Sequence, residues 1–155
     1  MGSQMAKFND NWVVQPHGDW LSLGEGILTI AGEIKMPLGN FPRRMTAVAL
    51  SGDRVAVWSP MPLDEPHMAE LEAMGKIALL IVLGVGHRLD IRSWKKRYPE
   101  AKVVCPSGAR EAVEEAVPVD GVDDVLADDA VHLNCAPGVA TKKPFSGSSG
   151  RRERR

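Results

Sequence analysis

Ile77-Ala78-Leu79-Leu80-Ile81-Val82-Leu83 runs into the loop Gly84-Val85-Gly86-His87-Arg88-Leu89-Asp90. Ile91, Trp94 and Tyr98 follow at helical spacing, then Pro99 and Ala101-Lys102-Val103-Val104-Cys105. The first run is apolar without alternation and has the length of a strand buried on both faces. Asp90 stands where a helix N-cap is expected, Arg92, Lys95, Lys96 and Arg97 fall on the solvent side of that helix, and Pro99 ends it. Strand, loop, helix, strand over this length implies a parallel pair joined by a right-handed crossover.

Outward from this unit, Met45–Leu50 and Arg54–Ser59 flank Ser51-Gly52-Asp53 and read as a hairpin. Asp64, Glu65 and Pro66 open a short amphipathic helix carrying Met68, Leu71 and Met74, which Gly75 stops. Upstream, Ile27–Ile30 is the clearest strand, and Met36–Pro42 reads as a Pro/Gly-rich connection. Downstream, Ser107 is expected to cap a third helix bearing Ala109, Ala112, Val113 and Ala116. The acidic stretch 120–129 reads as loop, and Ala130–Asn134 as a final strand. Antiparallel hairpins followed by a βαβ unit predict a mixed sheet with helices on one face, an α/β fold bordering on α+β.

The chain has 155 residues, 44% hydrophobic and 25% charged, the composition of one globular domain. Residues 1–141 are expected to form that domain and 142–155 a flexible basic tail. After Thr141, six basic residues oppose one acidic, leaving +5 there and −6 on the remainder of a chain whose net charge is −1. An acidic body is unsuited to nucleic acid, so no nucleic-acid partner is expected. The tail alone offers a salt-sensitive tether for an anionic surface. The longest apolar run has seven residues, far short of the roughly 20 that a membrane-spanning helix needs. Cys105 and Cys135 have no neighbour at metal-ligand spacing, and the first residues lack the pattern of a secretory signal; both features favour a cytoplasmic address.

Chemistry is expected in the loop after the buried strand, because ligands gather at the carboxyl ends of parallel strands. His87 is a candidate base or metal ligand there and Asp90 its orienting group or a second ligand; zinc or iron suits imidazole and carboxylate. The alternatives are a capping Asp90 and a loop histidine without a role. His132 is the downstream histidine able to complete a site with His87. His17, in a turn-like segment, and His67, in the first turn of a helix, are expected at the surface. Ser59 before Pro60 reads as a turn residue, and Cys105, beside a helix N-terminus, as either a reactive thiol or a buried one. The phosphate-loop and Gly-x-Ser-x-Gly signatures are absent from the sequence.

Arg44-Met45-Thr46, the Ser59-Pro60 turn, His87, Trp94, Pro99 and Ala101 fall in an order that resembles an uncharacterised family of metallo-β-lactamase-like proteins, over roughly residues 12–141. The resemblance implies the first half of an αββα sandwich. The superfamily places a His-x-His-x-Asp-His metal motif in the loop after the equivalent strand. With Asp90 as the motif's Asp, the histidine positions fall on Gly86, Arg88 and Ile91, none of which ligates zinc or iron through its side chain. The resemblance therefore implies a degenerate site, and a half sandwich whose bare sheet face suits a homo-oligomer or a subunit of an assembly. Trp12, Trp20 and Trp58 are the candidate contact residues. The competing expectation is a metal-dependent hydrolase with a reduced site of His87 and Asp90, joined by His17 or His132.

Overall fold

The computed structural model describes residues 8–84 and 87–122. The expected final strand, His132, Cys135 and the basic tail lie outside the described residues.

Six strands form one sheet in sequential order: β1 (Leu21–Gly24), β2 (Ile27–Met36), β3 (Gly39–Leu50), β4 (Arg54–Trp58), β5 (Lys76–Ile81) and β6 (Lys102–Val104). Neighbours from β1 to β4 are antiparallel, while β4–β5 and β5–β6 are parallel. Helix α1 (Glu65–Glu72) makes the first crossover and α2 (Ile91–Arg97) the second. After β6 a 3₁₀ turn (Ser107–Ala109) leads into α3 (Arg110–Glu114).

The alternation of the strands explains the layers. Ile30, Met45, Val55, Val57, Leu80 and Val103 point to the helix side, where they meet Met68 and Leu71 of α1, Ile91 and Trp94 of α2, and Val113 of α3. Ala56, Leu79, Ile81 and Val104 point the other way and form a second, smaller buried cluster with Trp58, Leu50 and Ala78 against it. The unalternating run of β5 is thus buried on both faces, as expected. Trp94 is the largest fully buried side chain. Its ring lies between Trp12 and Tyr98, at centroid distances of 5.2 and 5.5 Å.

Three local expectations are corrected. Met36–Pro42 is not a loose connection. Met36 pairs with Gly39 and Glu33 with Pro42, so only Pro37-Leu38 turn, and strand pairing continues through the segment because Gly39 adopts φ 137°. Asp90 stands at the N-cap of α2, but its side chain makes no capping bond, since Asn9 and Arg43 hold it instead. Pro106, not Ser107, is the N-cap of the 3₁₀ turn, and α3 ends at Glu114, although Ala116 and Val117 still pack in the core.

Candidate functional site

The carboxyl ends of β4 and β5 open onto the loop that the sequence singles out. Ser59 leaves β4 with φ 54°, a left-handed conformation that costs an ordinary residue about 1–2 kcal/mol. Its N–H donates to the Ile81 carbonyl at 2.9 Å, and its Oγ lies 2.8 Å from Nδ1 of His87. His87 is exposed, yet the part of its ring shielded from water holds its pKa below 6.5. A serine hydroxyl against a neutral imidazole is two parts of an acyl-transfer site. The rest is missing: among the described residues no carboxylate bonds to His87, the Ser59 N–H is committed, and residue 60 is a proline without one. The sequence holds no local signal for this pair, because 28 residues separate its members.

His87 and Asp90 line the same crevice with Arg43, Ser59, Pro60 and Leu89, a space of only about 20 Å³. Asp90 is 1% exposed. One oxygen accepts Asn9 Nδ2 at 2.7 Å and the other Arg43 Nη1 at 2.5 Å, an ion pair in which Arg43 is itself largely buried. Arg88 is also buried and donates to the Ala112 carbonyl and to Glu115. A metal here would find one exposed imidazole, a carboxylate already neutralised by a guanidinium, and isoleucine at position 91. That donor set does not fit zinc or iron, which need three or four nitrogen, sulfur or carboxylate ligands turned inward.

Beside the crevice, on the sheet face away from the helices, lies an open groove of about 780 Å³. Its walls include Ala31, Val48, Trp58 and Leu83, with Arg44 and His87 at its polar margin. Trp58, one of the three tryptophans expected at a contact, lines this groove. Trp12 and Trp20 are spent inside the molecule. Their indole N–H groups donate to the carbonyls of Leu63 (3.0 Å) and His67 (2.9 Å), and both rings pack against the core.

A second group of side chains, which the sequence leaves scattered at the surface, is drawn together at the start of α1. His17 Nε2 lies 3.7 Å from Asp64 Oδ2, and His67 Nδ1 lies 2.5 Å from Asp64 Oδ1. His67 Nε2 meets Asp19 at 2.8 Å, and the two imidazoles contact edge to face at 4.9 Å. The His17 side chain is 6% exposed rather than on the surface. The hydrogen bond that His67 makes to Asp64, with that to Asp19, raises the His67 pKa, and the same contact lowers that of Asp64. The helix start at Asp64, Glu65 and Pro66 is legible in sequence; the capping bond of Asp64 and the arrival of His17 from 47 residues away are not.

No family model and no curated protein matches the chain. Solved structures do, at low identity. A metallo-β-lactamase from Hirschia baltica superposes with a TM-score of 0.51 and 16% identity over 71% of this chain and 53% of that one. The metallo-β-lactamase FIM-1 from Pseudomonas aeruginosa, in its mono-zinc form, gives 0.53 and 12% over 74% and 53%. One from Erythrobacter litoralis gives 0.51 and 16% over 66% and 48%. The chain has a metallo-β-lactamase-like fold and spans about half the length of the structures it matches.

Proposed function

We propose that this chain is a non-catalytic metallo-β-lactamase-like domain that works through a protein interface, with a second copy of itself on the open face of its sheet. The observation that carries this reading is the pairing of Asp90 with Arg43 and Asn9. The one carboxylate that aligns with the superfamily's metal motif is buried and paired with a guanidinium, so its place in the loop serves packing. What the open face offers in place of a metal is apolar surface. Trp58, Val48, Ala31 and Leu83 line the groove, and β1 forms the sheet edge beside it with Leu21 and Leu23 at 58% and 60% exposure. Leu21 pairs with Thr29 and Thr29 with Thr46, so Leu21 stands on the groove side of the sheet. An apolar edge strand continuous with an apolar face favours a self-complementary partner, since two such surfaces can pack on one another across a two-fold axis.

Light scattering coupled to size exclusion tests it. A dimer mass that falls to monomer in the double variant Leu21→Asp/Leu23→Asp supports the reading; a monomer at every concentration overturns it. Both leucines are exposed, so the substitutions leave the core intact.

The competing reading, a metal hydrolase built on His87 and Asp90, requires Asp90 to leave its ion pair. Among the described residues no helix is long and apolar enough to cross a membrane. A cytoplasmic location completes this proposal.

A further inference from the structure

We propose that His17, Asp64 and His67 form a binding site for a divalent transition metal, with zinc as the expected occupant, at the N-terminus of α1 and apart from the loop that carries His87. This goes beyond the interface reading and does not depend on it.

The argument rests on how each ring nitrogen is committed. His17 Nδ1 faces the Gly18 carbonyl at 2.8 Å, so that nitrogen carries the proton and Nε2 presents a lone pair. That lone pair is aimed at Asp64, where it accepts the backbone N–H at 3.2 Å and lies 3.7 Å from Oδ2. His67 Nε2 faces Asp19 at 2.8 Å and donates its proton there, which turns Nδ1 toward Asp64 Oδ1. Both histidines therefore show the arrangement of metal-bound imidazoles, one nitrogen held by a carbonyl or carboxylate and the other directed to a common centre. The three ligand atoms all lie within 4.8 Å of one another. Around a tetrahedral zinc, ligand atoms lie about 3.3 Å apart, a spacing that small side-chain rotations reach from here.

His67 Nδ1 and Asp64 Oδ1 lie 2.5 Å apart, the spacing of a shared proton. A metal bound between them takes the place of that proton, which passes to solvent, so the site releases one proton for each ion bound. The cost is the long bond from the Asp64 N–H to His17, whose donor belongs to an exposed residue within reach of water. Oδ1 of Asp64 also accepts the His67 N–H at 3.1 Å as the helix cap, which leaves Oδ2 for the metal. Two nitrogens and one carboxylate select zinc, cobalt or iron over magnesium and calcium, and leave a fourth position for water.

The chain joined by such a site is instructive. Asp64 and His67 belong to the start of α1, whereas His17 comes from the segment that bridges to Gly32 of β2. A bound ion would fasten that segment to the helix.

The test is calorimetric titration of zinc chloride into the full chain after chelator dialysis, in excess magnesium, with cobalt(II) absorption to report nitrogen ligation. One ion per chain is expected, with a tetrahedral cobalt spectrum and weaker binding at pH 6 than at pH 7.5. His17→Gln and Asp64→Asn should each lower affinity by at least about 100-fold, and Asp19→Asn by about 10–100-fold, as removal of a carboxylate behind a ligating histidine does. Asn is as good an N-cap as Asp, so Asp64→Asn keeps α1 folded and isolates the ligand's contribution. His87→Ala should leave binding unchanged. Absence of binding, binding indifferent to His17 and Asp64, or binding lost with His87→Ala overturns the proposal. The dimer mass is read independently of all these outcomes.

Discussion

Two histidines give this protein opposing dependences on pH. Asp64 and Asp19 raise the His67 pKa above 6.5, so the stabilisation it brings is fully present below that value and is lost as pH rises through the raised one. Partial burial lowers the His87 pKa, so its folded state favours the neutral ring; that contribution is present above 6.5 and is lost as pH falls. Chemical denaturation of metal-free protein across pH 5–8 should show both slopes. His67→Gln should remove the loss on the alkaline side and His87→Gln the loss on the acid side. A second prediction at this scale concerns Asp90. Arg43→Met strands a buried carboxylate on Asn9 alone and should destabilise the fold by about 3 kcal/mol in urea titration. Adding Asp90→Leu should recover most of that, because two apolar groups replace a buried ion pair at little net cost. His87 and Asp90 were visible in the sequence as candidates, but the partner of each was not. Asn9 and Arg43 reach Asp90 from 81 and 47 residues away, and pairings at such separations leave no periodicity to read.

The elements were far more legible, because each is written in local chemistry. Unbroken apolar β5, the helix between Asp90 and Pro99, and the parallel β5–β6 pair follow from burial and from the missing N–H of proline. The long β2–β3 hairpin was hidden by Pro42, which reads as a breaker until Glu33 is seen opposite it. Of the α2 charges expected at the solvent side, Lys96 is exposed, whereas Arg92 and Arg97 are half-buried and bonded within the molecule. Arg97 forms two bonds to Glu65, at 2.7 and 2.9 Å, with its guanidinium 4.7 Å from the Trp12 ring centroid, and so ties α2 to α1. Arg92 likewise bonds the Ala116 carbonyl. Gly75, between α1 and β5, gives the prediction proper to this scale. It has φ 147°, and a Cβ there would lie 2.5 Å from the Asp53 carbonyl oxygen. That oxygen accepts the Lys76 N–H at 2.8 Å, where β5 starts beside β4. The backbone cannot yield without breaking the entry to the parallel pair. Gly75→Ala should therefore cost about 3 kcal/mol, from positive-φ strain and the clash together, measured as a lowered denaturation midpoint at unchanged m-value.

For the molecule as a whole, the sheet divides two environments that the chain satisfies differently. The three helices of the described residues cover one face, and Met45, Trp94 and Leu80 are fully buried there. On the other, Ala56, Leu79, Ile81 and Val104 are buried, while among the described residues the groove beside them is open along Trp58 and Val48. A stable interface removes roughly 800 Å² from each copy, more than the groove alone exposes, so the edge strand β1 has to take part. This links the two halves of the proposed interface energetically. If a second copy covers both, dissociation accompanies unfolding, and mass action makes the melting temperature rise with protein concentration. Over a hundredfold range, differential scanning fluorimetry should report an upward shift of several degrees in the wild-type chain. Leu21→Asp/Leu23→Asp should flatten it, while His17→Gln, on the opposite account, should leave the concentration dependence intact and abolish only the shift caused by zinc. A wild-type melting temperature independent of concentration would assign the open face to some other use.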